Sequence, residues 1–476
     1  MNGLSQKRYL ELPLPTEDDP RSDQQRILDS LAAAGVEERV HIPVHILRKL
    51  YPLLDNAKWK ITVSLVWNGD NWEMVEIEKG DTTAQHYGLA VDLGSTTVVV
   101  RLLDCNSGEI LKEASCFNKQ IQWGTDILSR IFYCKDNKEK LEEVRKATVA
   151  SICECMDKLG VQAENCLSMV VAGNTTMIHF LLGMDAFCVF YTPHAVHADC
   201  PGFLPARDLD IPLKGYVYCY PSKSNYLGGD IISGMIDTEL YKQDEISVFF
   251  DIGTNGELVI GNKEFLLCGA GAAGPALEGG VVRTGMRAED GAVDQVKIRN
   301  GNIYVHVIGN HEEDSGSHEK NSGNHEDNSS GEAPRGICGS GIIDLIAELF
   351  LEGWIDIRGK LSPEKSPLIQ ERDNQLCVEY ATGLYFYQKD IDEFIRTKSA
   401  AHTMVEIMLR ESGLELSQAD RFYVAGAFGK HVSKESAITI GMYPDMDRDH
   451  IINAGNSSLE GAQKLLLNRS LLTDID

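Results

Sequence analysis

The sequence predicts an α/β protein in which one lobe pattern occurs twice, behind a small α+β unit. Three observations predict it. YGLAVDLGSTTVVVRLLD, from Tyr87, reads as an apolar strand, a tight glycine turn and a second strand. ISVFFDIGTNGELVIGN, from Ile246, repeats that order about 160 residues later. The chain has 476 residues, too many for one core when domains run to ~100–200 residues.

Composition bounds the function. Hydrophobic residues make up 43% and charged residues 24%, enough apolar matter for a folded core. The net charge is −26, from 45 basic and 71 acidic residues. That balance repels phosphate backbones and anionic lipid, so nucleic acid and membrane surfaces are not expected partners. The polar start MNGLSQKRYLELPLP lacks a signal-peptide core, and Asn174, His179 and Asp185 interrupt the most apolar stretch. A cytoplasmic location is expected. The twelve cysteines include no CxxC, and Cys153-Glu154-Cys155 is the closest pair. Residues two apart on a helix do not face each other, so packing explains this pair better than a cluster does.

Residues 1–85 form the first expected unit. A proline- and charge-rich arm, LELPLPTEDDPRSDQQ, leads to helical QQRILDSLAAAG. The strand-like runs WKITVSLVW and NWEMVEIEKGD then flank Asn68-Gly69-Asp70, a hairpin signal. Residues 86–245 make the first lobe, with helices expected at about 124–133 and 138–159. LSMVVAGNTTMIHFLLG reads as strand, turn and helix, 185–226 as irregular, and GGDIISGMIDTEL as a closing helix. Residues 246–476 make the second lobe. Within it GNHEEDS, GSHEKNS and GNHEDNS run in tandem over 309–329. These heptads hold no apolar position, so a disordered surface insertion over 309–333 is expected rather than a coiled coil.

Four glycine-containing turns carry the chemistry. In Asp92-Leu93-Gly94-Ser95-Thr96-Thr97 an apolar strand delivers a carboxylate, a glycine and three hydroxyls. Glycine lets backbone N–H groups approach phosphate oxygens. The aspartate repels phosphate and makes sense as a Mg²⁺ ligand, usually through water. Asp251-Ile252-Gly253-Thr254-Asn255-Gly256-Glu257 repeats the arrangement. Each loop alone is an ordinary strand end; the pair is far more specific. Val424-Ala425-Gly426-Ala427-Phe428-Gly429 follows a strand and would let a flat base lie on the backbone. Gly336-Ile337-Cys338-Gly339-Ser340-Gly341 opens an apolar helix, where free N–H groups favour anions and small residues favour close packing equally well.

These turns, in this order, resemble the acetate and sugar kinase/Hsp70/actin superfamily (ASKHA). The resemblance implies two ribonuclease-H-like lobes with ATP in the cleft between them. By that match, Asp92, Gly94, Ser95, Thr96 and Thr97 form one phosphate loop, and Asp251, Gly253, Thr254, Asn255 and Gly256 the other. Gly426, Ala427 and Gly429 form the adenosine turn, and Gly339 and Ser340 are further candidates. AVDLGSTTV, GTDILSRI, VAGNTTMIHFLLG, AAGPALEGG, TGMRAEDGA, GICGSGIIDLI and VAGAFG together look like one branch, the reductive activators of corrinoid-dependent enzymes. Residues 1–85 are similar to the linker region of those activators.

The resemblance implies ATP-driven reduction of inactive cob(II)amide to cob(I)amide on a corrinoid protein or corrinoid-dependent methyltransferase, and suggests a homodimer. Activators of this kind usually carry an iron–sulfur cluster of their own. With no CxxC, and no cysteine after Cys377, none is expected here, and electrons are expected from a separate low-potential donor such as ferredoxin. For hydrolysis, Glu257 is the first candidate to orient water and Asp230 the second. His194 and His197, in YTPHAVHADCP, are candidates to face corrinoid or partner. Three other readings stand beside this one: a small-molecule kinase of the same superfamily, a non-catalytic nucleotide-dependent binding module, and an activator of 2-hydroxyacyl-CoA dehydratases.

Overall fold

The computed structural model describes residues 2–160, 165–253, 256–271, 282–309, 333–426 and 432–475. They fall into two compact units. One runs to Thr238 and resumes at Ser457; the other runs from Glu239 to Asn456. No described helix is long and apolar enough to cross a membrane.

The first unit begins with a four-stranded sheet in the order Ser5–Glu11, Lys60–Trp67, Trp72–Lys79, Val40–His41. Helices Asp23–Ala33 and Val44–Asn56 supply Ile27, Leu31 and Ile46 to its core, against Leu10, Ile61, Val63 and Met74. The expected hairpin is present. Asn68 Oδ1 accepts from the N–H of Asp70 at 3.1 Å and of Asn71 at 3.0 Å, and Gly69 has φ +110. The strand Ser5–Glu11 was not expected. Its polar residues conceal it: Lys7 is buried and pairs with Glu78 at 2.8 Å.

The six-stranded sheet of this unit has the order Ile110–Phe117, Thr97–Asp104, Tyr87–Leu93, Cys166–Gly173, Tyr216–Cys219, Gly202–Pro205. The first three are antiparallel, the third to fifth parallel, and the last is an antiparallel edge. Leu89, Val91 and Leu93 share a core with Val144, Ile152 and Cys155 of helix Lys138–Leu159. That helix starts on the Asn137 cap and stops at Gly160, φ +64. Strand alternation turns Gly88 the other way, where a Cβ would lie 2.9 Å from Leu466. Helix Ser457–Leu467 therefore lies over Gly88 and packs against helix Gly229–Thr238. The stretch expected to be irregular, 185–226, holds the strands Gly202–Pro205 and Tyr216–Cys219. Four buried or half-buried residues are too few to show a period.

The second unit carries a five-stranded sheet in the order Leu266–Gly271, Gly256–Gly261, Ser247–Ile252, Arg421–Ala425, Ile451–Gly455. Again three antiparallel strands are followed by parallel ones. The order along the chain is 3-2-1-4-5 here and 3-2-1-4-6-5 in the first unit, so the ribonuclease-H-like arrangement is present twice, with one extra edge strand in the first. Between its third and fourth strands stand two three-stranded sheets and the buried helix Gly339–Leu351. Helix Gln388–Ser412 then leads back to the main sheet. The heptad insertion lies outside the described residues from 310 to 332.

Candidate functional site

In the first unit the candidate residues collect at the carboxyl ends of the parallel strands, the customary ligand end of α/β sheets. Asp92 sits half-buried one residue before the end of its strand. Gly94 makes the turn, and a Cβ there would lie 2.4 Å from the Thr97 carbonyl oxygen. Only glycine fits that turn without displacing the next strand.

The loop is held from one side. Asn118 Nδ2 donates to the Gly94 carbonyl at 3.0 Å, and the Asn118 N–H to the Thr96 carbonyl at 2.9 Å. Arg130 Nη1 donates to the Ser95 carbonyl at 2.6 Å and to Gln120 Oε1 at 3.1 Å, while its Nε donates to Gly124 O at 3.0 Å. In a trans peptide the N–H points opposite to the preceding C=O. Tying back the carbonyls of Gly94 and Ser95 therefore turns the N–H groups of Ser95 and Thr96 away from Asn118 and Arg130. Arg130 is fully buried, and burial lowers its pKa to about 10, with Asp126 opposing the fall.

Two further loops approach Asp92. Gly173 ends the neighbouring strand, and a Cβ there would lie 2.9 Å from Leu93 O. Asn174 caps the following helix, Thr175–Leu181, accepting from Met177 N at 3.0 Å. Gly228 lies over that cap, where a Cβ would meet Asn174 Cα at 2.4 Å. Asp230 follows in the first turn of helix Gly229–Thr238. Burial pushes its carboxyl up to about 7; the Ile231 N–H opposes the rise and the Asp92 charge adds to it. Some of its surface stays exposed, so the shift reflects protein packed around the carboxyl rather than full enclosure. Ser458 Oγ donates to Asp92 Oδ1 at 3.1 Å. Its helix is set by Gly461, where a Cβ would lie 1.9 Å from Ser233 O, and by Ser233 Oγ donating to Ser458 O at 2.7 Å.

In the second unit Asp251 and Glu257 stand directly opposite each other across the hairpin, so they share one face of the sheet. Glu257 is buried and Asp251 half-buried. Gly426 ends the adjacent parallel strand with φ +95. A Cβ there would lie 2.4 Å from Ile252 O and 2.9 Å from Asp251 Oδ1, and the Gly426 N–H donates to Gly455 O at 2.9 Å. Gly253 and Gly256 flank Thr254 and Asn255, which lie outside the described residues, as do Ala427 and Gly429. Gly339 and Ser340 are buried at the start of their helix. Two neighbouring glycines serve packing: Cβ atoms at Gly336 and Gly341 would lie 2.4 Å from Thr284 O and Val293 O.

His194 and His197 stand on an exposed loop away from these turns in sequence. The His197 N–H donates to Nε2 of buried His179 at 3.2 Å, which anchors that loop. Asn118, Arg130 and Ser458 were not foreseen as site residues. Arg130 lies in GTDILSRI, where an arginine within a largely apolar helix was the available signal.

Three family descriptions match the chain: the RACo linker region over 1–84, the RACo middle region over 87–243, and the C-terminal domain of RACo, the ASKHA domain, over 245–476. The chain is 30% identical over 407 residues to the corrinoid activation enzyme RamQ of Eubacterium limosum, covering 80% of this chain and 64% of that protein. It is 26% identical over 407 residues to a Methanosarcina barkeri protein named as a reductase of a Co(II) methylated amine-specific corrinoid protein, covering 82% of this chain and 71% of that one. The chain thus spans about two thirds of the length of these relatives. A solved structure of a reductive activator for a corrinoid, iron–sulfur protein superposes with a TM-score of 0.89 at 36% identity, over all of this chain and 75% of the other. With linker, middle and ASKHA regions matched in order from residue 1 to 476, the chain belongs to the RACo family.

Proposed function

We propose that this chain uses ATP to drive reduction of the cobalt of a corrinoid protein or corrinoid-dependent methyltransferase, from cob(II)amide to cob(I)amide, with a separate low-potential donor supplying the electron. The named activities of its relatives support the reaction class. The observation that carries the nucleotide part is the Gly94 turn, whose carbonyls are tied back to Asn118 and Arg130. A Cβ at Gly94 would strike the Thr97 carbonyl oxygen, so the turn needs bare backbone there.

In this reading the N–H groups of Ser95 and Thr96 bind phosphate oxygens, with the hydroxyls of Ser95, Thr96 and Thr97 beside them. Gly253, Thr254, Asn255 and Gly256 do the same from the second lobe. Asp92 and Asp251 would hold Mg²⁺, usually through water. Ser458 orients Asp92 by donating to one carboxylate oxygen. Asp230 and Glu257 orient the attacking water, and Gly426, Ala427 and Gly429 receive the adenosine, with Gly339 and Ser340 at its edge. Bound ATP supplies free energy by favouring one conformation of the protein–partner complex over another. For a one-electron couple, about 59 mV accompanies each tenfold shift in equilibrium.

The experiment mixes the protein with a corrinoid partner, a low-potential reductant and Mg·ATP, and follows the cob(I)amide absorbance. ATP-dependent conversion, lost in both Asp92→Ala and Asp251→Ala, is expected. Conversion independent of ATP, or ATP dependence surviving both substitutions, would overturn the proposal.

A further inference from the structure

A cavity of about 290 Å³ opens in the second unit, on one face of its five-stranded sheet. Phe250 and Phe422 line its floor, with Val405, Ile438 and Met442 around them. Two groups at this cavity lack partners among the described residues. Lys398, half-buried, carries an amine with no carboxylate or hydrogen-bond acceptor, and a Cβ at Gly441 would lie 3.1 Å from its Nζ. The amine therefore rests on the bare backbone of Gly441, which also lines the cavity. Tyr443 is the second; its hydroxyl is buried and unbonded.

The rim differs from the floor. His402 lies one helical turn after Lys398 on helix Gln388–Ser412 and pairs with Glu406 at 3.2 Å. Asp445 pairs with Arg448 at 2.8 Å. In a chain of net charge −26, acidic partners for a lysine are abundant, yet Lys398 has none among the described residues. Burial lowers its pKa, so the amine is held against its preference for water.

We propose that this cavity binds a small amphipathic monocarboxylate, a short acyl chain or single aryl ring whose carboxylate pairs with Lys398. The apolar body lies between Phe422, Val405, Ile438 and Met442, and the carboxylate stays at the rim. A carboxylate satisfies the amine with a charge-assisted bond. A nucleotide phosphate does not suit the site: the floor is apolar, and Asp445 at the rim repels a dianion. The volume lies just below the usual range of ligand pockets, about 300–1,000 Å³, which suits a small ligand. The occupant would pack on the strands that deliver Asp251 and Gly426.

The test compares octanoate with 1-octanol by calorimetry and saturation-transfer NMR on the full chain. Octanoate is expected to bind at least tenfold more tightly than octanol. Lys398→Met keeps the apolar stem and should bring the two within twofold, at an unchanged melting temperature. Ile438→Trp fills the floor and should abolish binding of both. Absence of octanoate binding at millimolar concentration, or an undiminished preference in Lys398→Met, overturns the proposal. Should Ile438→Trp fail to fold, Lys398→Met alone decides.

Discussion

Arg130 Nη1 donates to the carbonyl oxygen of Ser95 at 2.6 Å, so a buried cation sets the direction of the backbone at a proposed phosphate loop. Lysine cannot reproduce the fork that also reaches Gln120 and Gly124. Arg130→Lys is expected to weaken ATP binding about tenfold, or ~1.4 kcal/mol, and to leave adenosine affinity unchanged. Calorimetry with both ligands checks it; equal losses for the two would show a merely structural role.

Gly94→Ala places a methyl group 2.4 Å from the Thr97 carbonyl. The turn must open, and overpacking of this kind costs about 1–3 kcal/mol. Nucleotide binding should be lost while the protein stays folded, read by circular dichroism and equilibrium dialysis with ATP.

Gly461→Ala should separate helices Ser457–Leu467 and Gly229–Thr238, since a Cβ there lies 1.9 Å from Ser233 O. Urea unfolding should show a loss of about 1–3 kcal/mol. Ser458→Ala removes only the bond to Asp92 and should cost about 1 kcal/mol or less.

His86 gives a pH dependence whose sign follows from its burial. Its Nε2 lies 2.8 Å from Ser5 Oγ and its Nδ1 3.2 Å from Asn106 Oδ1, contacts the neutral ring can satisfy. Burial lowers its pKa from 6.5 to about 4. The unfolded chain then binds the proton more readily, so stability is full above about pH 6.5 and falls as pH drops toward 4. The fall amounts to roughly 3 kcal/mol at most. His86→Gln should flatten that part of the profile of urea midpoint against pH.

Both lobes were legible because each opens with a long apolar strand, a glycine turn and a second strand. Asp92 and Asp251 could be placed from that pattern alone. The strand Tyr216–Cys219 was not legible, because four residues show no period. Nor was the strand holding Lys7, whose charge reads as solvent-facing although Glu78 pairs it. At the site, the residues that show in sequence are those on the turns. Asn118, Arg130 and Ser458 act from other elements, and Ser458 lies 366 residues from Asp92. No local pattern encodes such a distance. The glycines at Gly336 and Gly341 carried two readings, anion binding and close packing; their contacts with Thr284 and Val293 show the packing.

The late arrival of helix Ser457–Leu467 orders the birth of the molecule. Its Leu466 carbonyl accepts the Leu4 N–H at 3.0 Å, and the Arg469 N–H donates to Asn2 O at 2.7 Å. On the ribosome the first lobe emerges early but cannot close over Gly88 until that helix follows, after the entire second lobe has been made. A nascent chain stalled before Ser457 would hold its first sheet open and its Asp92 without Ser458.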